Sequence, residues 1–202
     1  MLRIDNVKVY DLVESVIACR NAMRTELPVY TDVEFDKSIE RAKKLVRASA
    51  QSKDVKCHDN FLTGIRVSFD LIYPNYISPE LQRYHWIDIV TSSSKMHRIM
   101  KMDLRKSCNK YVDQETIDHI EFLVRCYNMV PDDNPDMKYE YFMKVISNCP
   151  LGLELFMRVS TNYKQLQTIY HQRKHHKLKE DWGSFCEFVE SLPYAEDFLI
   201  GQ

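Results

Sequence analysis

Residues Phe69 to Arg98, FDLIYPNYISPELQRYHWIDIVTSSSKMHR, decide the fold. They open inside the clearest strand of the chain, Ile65 to Tyr73, where apolar and polar residues alternate with a period of two until Pro74 stops the run. Ser78-Pro79-Glu80 then predicts a helix start, with serine as N-cap, proline at the first helical position and an acid in the first turn. That helix is expected to carry Gln82, Arg83, Tyr84, His85 and Trp86, and Thr91 to Lys95 (TSSSK) interrupts it with small hydroxyl residues. Backbone N–H groups and hydroxyls beside Arg83 and Lys95 make a natural nest for phosphate or another anion. A surface turn with an N-capped helix accounts for the same residues without any ligand.

A second stretch, Ser160 to Arg173 (STNYKQLQTIYHQR), carries a helix expected from Thr161. Asn162 and Arg173 are eleven residues apart and, at about 100° per residue, point the same way. Leu166, Ile169 and Tyr170 fill the stripe between them. An arginine on an apolar face is costly unless something compensates it, which makes Arg173 a candidate for holding an anion; a snorkelling or internally paired arginine is the simpler alternative.

Working outward, Leu2 to Tyr10 alternates like a strand, and Leu12 to Met23 and Phe35 to Ala50 read as helices, the second with a solvated basic face (Arg41, Lys43, Lys44, Arg47). Thr116 to Tyr127, Tyr139 to Ser147 and Trp182 to Leu192 are further helices, and Val130 to Met137 (VPDDNPDM) is a loop. The expected organisation is one domain over residues 1–202, with a helical segment around 100–148. The whole is 202 residues at 45% hydrophobic content, enough to bury a core.

Composition excludes several functions. Only four glycines are present, Gly64, Gly152, Gly183 and Gly201, so neither a dinucleotide fingerprint nor a phosphate-cradling P-loop can be built. A net charge of -1 gives no global electrostatic case for nucleic acid, although Arg173, Lys174, Lys177 and Lys179 form a short basic patch. His171 and His175 have metal-ligand spacing on a helix, with His176 beside them, but no glutamate or cysteine completes a site, and no metal is expected. Cys19, Cys57, Cys108, Cys126, Cys149 and Cys186 are scattered without a CxxC pair, and no secretory leader opens the chain; reduced thiols in the cytoplasm are the expectation. No apolar run approaches the roughly 20 residues that span a bilayer.

The first quoted block resembles the signature region of the flavin-dependent thymidylate synthases, in which a strand leads through a proline into a glutamine and an R-H-R triplet, followed by an N-E-x-S segment. Phe69, Pro74 and Arg83 keep that spacing. CPLGLELFMRVSTNYKQLQTIYHQR is similar to the family's second signature, with Cys149-Pro150, Asn162, Leu166 and Arg173 in the matching places. Ala18-Cys19-Arg20 falls where the family has A-A-R. The resemblance implies an α/β (α+β) fold with a small, mostly antiparallel sheet flanked by helices, assembled as a homotetramer.

It further implies an enzyme that moves a one-carbon unit from methylenetetrahydrofolate to C5 of a deoxypyrimidine monophosphate, dUMP or an altered substrate, using FAD and NADPH. By position, Arg173 would contact and activate the pyrimidine, and Glu80, Arg83, Ser93, Ser94 and Lys95 would line the nucleotide. Arg83, Tyr84, His85, Asn162 and Lys164 would contact the flavin. Four positions depart from the pattern: Thr63 or Gly64 replaces a flavin-contacting histidine, Ile146 replaces a nucleotide-binding arginine, Thr91 or Ser92 replaces the acid of the N-E-x-S segment, and Glu80 replaces an amide. These departures motivate the alternative of a catalytically inactive module, on the same fold, that binds a nucleotide or a protein.

Overall fold

The structure, a computed structural model, describes residues 1–51 and 58–201; Cys57 lies outside the described residues. In chain order the elements are β1 (Arg3–Tyr10), α1 (Leu12–Ala18), α2 (Asp32–Gln51), β2 (Arg66–Pro74), α3 (Ser78–Leu81), β3 (Asp88–Ser92), α4 (Lys95–Arg98) and α5 (Leu104–Ser107). They continue with α6 (Gln114–Met129), α7 (Pro135–Asn148), β4 (Glu154–Asn162), α8 (Tyr163–Arg173), α9 (Lys179–Glu190) and a closing π-helical turn, Glu196–Ile200.

Four strands form an antiparallel sheet in the order β1-β2-β4-β3, flanked by helices. The register of β2 on β4 is fixed at both ends: Tyr163 N–H donates to the Ile65 carbonyl at 3.0 Å and Asn75 N–H to the Leu153 carbonyl at 2.9 Å. On β2 the alternation is strict, with Val67, Phe69, Leu71 and Tyr73 buried and Arg66, Ser68, Asp70 and Ile72 part-open. On β4, Leu155, Met157 and Val159 are the buried set.

Two expectations fail in instructive ways. The helix begun at Ser78 is a single turn, α3, in which Ser78 is itself helical and Ile77 holds the N-cap position. Gln82 to Ile87 are turns and irregular backbone, and the next residues are a strand, β3, rather than a helix broken at Thr91. The β-branched residues Ile87, Ile89, Val90 and Thr91 explain this, because they lose side-chain freedom in a helix and suit a pleated edge. Likewise Ser160 to Asn162 end β4, so α8 starts at Tyr163. β4 escapes the sequence reading because Leu155, Met157 and Val159 lie among residues, Glu154 and Met157 included, that suit a helix equally well.

The chain falls into two compact units. One comprises Met1, Ile72–Arg83 and Thr91–Met157; in it α6 packs on α7, and α7 opens with Asn134 as N-cap, its side chain accepting from Met137 N–H, and Pro135 at the first position. The other comprises Leu2–Leu71, Tyr84–Val90 and Arg158–Gln202. Its core is aromatic: Phe69 meets Phe185 and Phe188 at ring-centroid distances of 6.2 and 4.8 Å, and Trp182 meets Phe185 at 5.6 Å. On the open side of the strands Arg158 donates to Asp70 and to the Asn6 carbonyl, both at 3.0 Å. At Gly64 the chain passes close to α1, since a Cβ there would lie 2.4 Å from Ser15 Oγ.

Candidate functional site

Helix α8 organises the site. Asn162, in extended conformation and 3% exposed, caps it by accepting from Gln165 N–H at 2.9 Å. Thr161 ties the strand end down by donating to the Trp86 carbonyl at 2.7 Å. Leu166 and Ile169 are fully buried, and α8 packs on α9 and on the closing turn. One face of the helix is thereby fixed, and its polar side chains are held in defined places.

In the first turn, Lys164 donates to Asp59 Oδ2 at 2.5 Å and to Gln167 Oε1 at 3.1 Å. Gln167 in turn donates to the Phe198 carbonyl at 2.9 Å. Asp59 is 1% exposed, and its Oδ1 has no hydrogen-bond partner. These residues, with Ser49, Ala50, Thr168 and His171, line a pocket of about 440 Å³. His171 Nε2 faces the Leu199 carbonyl at 3.0 Å and must be the protonated nitrogen, since a carbonyl only accepts. Burial holds the His171 pKa below its ordinary value, aided by Lys174 and opposed by that carbonyl.

At the last turn, Arg173 Nε donates to Tyr84 Oη at 2.8 Å, and Tyr84 donates to Gln172 Oε1 at 3.1 Å. The guanidinium carbon lies 4.4 Å from the Trp182 ring centroid and 5.6 Å from that of Tyr84. Both distances fall within cation–π range, so aromatic faces meet the half-buried charge that the apolar stripe made costly. Nearby Tyr170 donates to Glu190 at 2.9 Å, and burial with that bond pushes its phenol up to about 12.

The structure thus brings Tyr84, Asn162, Lys164 and Arg173 into one unit, with His85 exposed in the same unit. Glu80, Arg83, Ser93, Ser94 and Lys95 belong to the other. There Arg83 is exposed, and Ser93 is committed to the backbone: its N–H donates to the Phe156 carbonyl at 2.8 Å and its Oγ accepts from Phe156 N–H at 3.0 Å. Ser94 is the N-terminal flanking residue of α4 and makes no side-chain cap bond, and Lys95 follows as the first helical residue.

The histidine pair does not form as spaced. α8 ends at Arg173, so His175 lies beyond the helix, and His176 folds back with Nδ1 accepting from Leu178 N–H at 3.2 Å. No cluster of three potential metal ligands exists among the described residues. No helix of the described residues is long and apolar enough to cross a membrane.

Sequence reading missed Asp59, Gln167 and Trp182 as site residues. Trp182 was visible only as a core position of the last helix, and Asp59 as one polar residue in HDNFLTG. Neither the buried carboxylate opposite Lys164 nor the indole under Arg173 leaves a local spacing signal, because Asp59 is 105 residues from Lys164 and Trp182 sits on the next helix, α9.

No protein-family model matches the chain, and no curated protein matches it in sequence. Solved structures do match over nearly the whole length. Thymidylate synthase X from Helicobacter pylori with FAD and dUMP superposes with a TM-score of 0.66 at 13% identity, covering 98% of this chain and 97% of that one. A second structure of the flavin-dependent enzyme from Helicobacter pylori, complexed with FAD and dUMP, gives 0.65 at 12% identity, with coverages of 98% and 97%. A UMP/dUMP methylase from Streptomyces cacaoi bound with 5-Br dUMP gives 0.57 at 12%, covering 95% and 89%. At such identities the likeness is one of fold, and the chain has the fold of the flavin-dependent thymidylate synthases.

Proposed function

We propose that the protein is a flavin-dependent thymidylate synthase-like enzyme that transfers a one-carbon unit from methylenetetrahydrofolate to C5 of a deoxypyrimidine monophosphate, with dUMP the first substrate to test. The observation that carries the reading is Arg173. It ends α8 eleven residues after the capping Asn162, as the family signature has it, and its guanidinium is oriented by Tyr84 and Trp182. In this reading Arg173 stabilises negative charge developing on the pyrimidine ring, an electrostatic effect of about 3 kcal/mol at a water-poor site. Arg83 and Lys95 meet the nucleotide's anionic groups, and Glu80 faces its pyrimidine edge. Of the two serines, Ser94 is the better candidate to approach the reactive carbon, because Ser93 Oγ is engaged with Phe156.

The residues that would hold a flavin fit its uncharged part best. Asp59 neutralises Lys164 at the wall of the pocket, leaving a polar surface suited to a hydrogen-bonding heterocycle more than to a diphosphate. A bound flavin, reduced by NADPH, would supply the reducing equivalents that turn the transferred carbon into a methyl group. Asn162, Lys164 and His85 would orient it. Assembly as a cytoplasmic homotetramer, with sites built between copies, belongs to the same proposal.

One observation favours the second reading, an inactive nucleotide-binding module. Lys164 is already committed to Asp59 and Gln167, and Gly64 has no room for a histidine beside Ser15. The test is the visible absorption spectrum of the purified protein, before and after FAD is added and the sample desalted. A retained flavin band, followed by turnover of dUMP or dCMP with methylenetetrahydrofolate and NADPH, supports the enzyme. Nucleotide binding by a protein that takes up no flavin selects the module.

A further inference from the structure

The segment from His58 to Asn60 serves two pockets. Asp59 lines the one at α8, whereas His58 and Asn60 line a second, of about 370 Å³, together with Ser15, Cys19 and Ala22. None of the described residues lining the second pocket is acidic. Their hydroxyl, amide and thiol groups can donate hydrogen bonds, and a protonated His58 adds a charge. Gly64 lines it too, and its missing Cβ, which would lie 2.4 Å from Ser15 Oγ, keeps room beside that hydroxyl.

Cations gather beside this pocket. Arg20 and Arg24 flank the short turn Asn21–Met23 that follows α1. With Lys37 they share one carboxylate: Glu34 accepts from Arg24 at 2.9 Å and from Lys37 at 3.2 Å, while Arg20 Nη1 stays 3.7 Å away. Arg20 Nη1 and Arg24 Nε are buried and have no hydrogen-bond partner. Buried guanidinium N–H groups without an acceptor are costly, and three positive charges exceed what one carboxylate cancels. The surplus reaches the pocket wall at Cys19. Burial raises that thiol's pKa, and Arg41, Arg20 and Arg24 all pull against it.

We infer that the second pocket is an oxyanion seat for a phosphate or diphosphate group, with Arg20 and Arg24 supplying the charge and Ser15 and Asn60 the neutral donors. A phosphate-class group brings several acceptor oxygens and more than one negative charge, which answers both the surplus and the unmet N–H groups. An uncharged ligand would leave the surplus in place. The inference goes beyond the flavin reading, because it holds alike for a free oxyanion and for the diphosphate of a larger ligand. It also separates the two pockets chemically: the buried Asp59 carboxylate disfavours phosphate at α8, and no described residue of the second lining repeats that obstacle.

Calorimetry with inorganic pyrophosphate, at low and constant ionic strength, tests the seat in the wild type, Arg20→Gln, Ala22→Asp and Glu34→Gln. Thermal unfolding confirms that each variant folds; Ala22 is exposed, so its replacement needs no space inside the protein. The expected result is saturable binding with a Kd of about 1 mM or tighter in the wild type, roughly tenfold weaker in Arg20→Gln and Ala22→Asp, and about threefold tighter in Glu34→Gln, where the competing carboxylate is gone. FAD and riboflavin, followed by absorbance, identify the source. FAD that is displaced by pyrophosphate, and weakened by Ala22→Asp when riboflavin is not, supports the seat with a dinucleotide's diphosphate in it. FAD indifferent to both, with pyrophosphate bound as expected, supports it with a free oxyanion as occupant. Equal pyrophosphate affinity in all four proteins overturns the inference, because the anion then binds elsewhere. A wild type that binds no pyrophosphate overturns it as well, even where FAD is retained. Pyrophosphate bound as expected by a protein that takes up no flavin supports the seat and overturns the flavin-dependent reading instead.

Discussion

The two ends of α8 lodge a half-buried cation in different ways. Lys164, in the first turn, meets a carboxylate that is itself 1% exposed and an amide locked to the backbone. Arg173, in the last turn, meets a phenol oxygen and an indole face. A buried carboxylate cancels charge, and its removal strands an ion. A phenol and an indole orient charge, and their removal frees it. The first arrangement behaves as a lock between α8 and the segment before β2, and the second as an aimed donor.

The largest effect should come from breaking the lock on its lysine side. Lys164→Met leaves Asp59 buried with neither oxygen paired, and should cost about 3–5 kcal/mol in denaturant unfolding. Asp59→Asn leaves a lysine that is 31% exposed and can reach water, so about 2 kcal/mol is expected. The double variant should cost less than the sum, because neither ion remains. A Lys164→Met loss under 1 kcal/mol would mean that the pair is screened like a surface bridge and that the contrast between the two helix ends is unfounded.

Arg173→Met is the matching change at the other end. The thioether can still cover Trp182, and no charge is stranded on Tyr84, so a stability loss of about 1–2 kcal/mol is expected. Its effect on dUMP binding should be far larger than its effect on folding. Asn162→Ala should cost about 1 kcal/mol through the lost cap, and Asn162→Ser only a few tenths, since serine caps nearly as well. If Asn162→Ser keeps stability but releases FAD, the residue has both a structural and a ligand role; if both properties survive, the cap is its whole purpose.

The sequence made legible those parts of this comparison that are periodic. β2 and the long helices follow from alternation and from the 3.6-residue stripe, and the Asn162 to Arg173 span is read in register with the observed helix. β3 and β4 were not legible, because short runs with β-branched residues next to Glu and Met satisfy both templates, and pairing with a distant strand settles the matter. At the site, the cations were visible and their partners were not. Arg173 was read as an arginine in need of an anion, but Trp182 and Tyr84 meet much of that need from 9 residues after it and 89 before it in the chain. Compensation is a property of three-dimensional neighbours, and a one-dimensional pattern records only the charge to be compensated.

The smallest expected effect lies between the two cations, at His171, which borders the Lys164 pocket and donates to the Leu199 carbonyl. Burial lowers its pKa below the ordinary 6.5, so in the folded protein it stays neutral at a pH where the unfolded chain has taken up a proton. The unfolded state then binds more protons, and stability must rise with pH through that window. This contribution is constant above about pH 7 and is lost progressively as the pH falls below 6.5 toward the folded value. His171→Gln keeps an N–H for Leu199 and cannot titrate, so the wild type should lose stability relative to this variant between about pH 7 and pH 5.5 in urea unfolding. The opposite sign would mean that Asp59, whose free oxygen shares the pocket, draws the imidazolium into it, and the neutral surface inferred there would have to be redrawn as an anionic one.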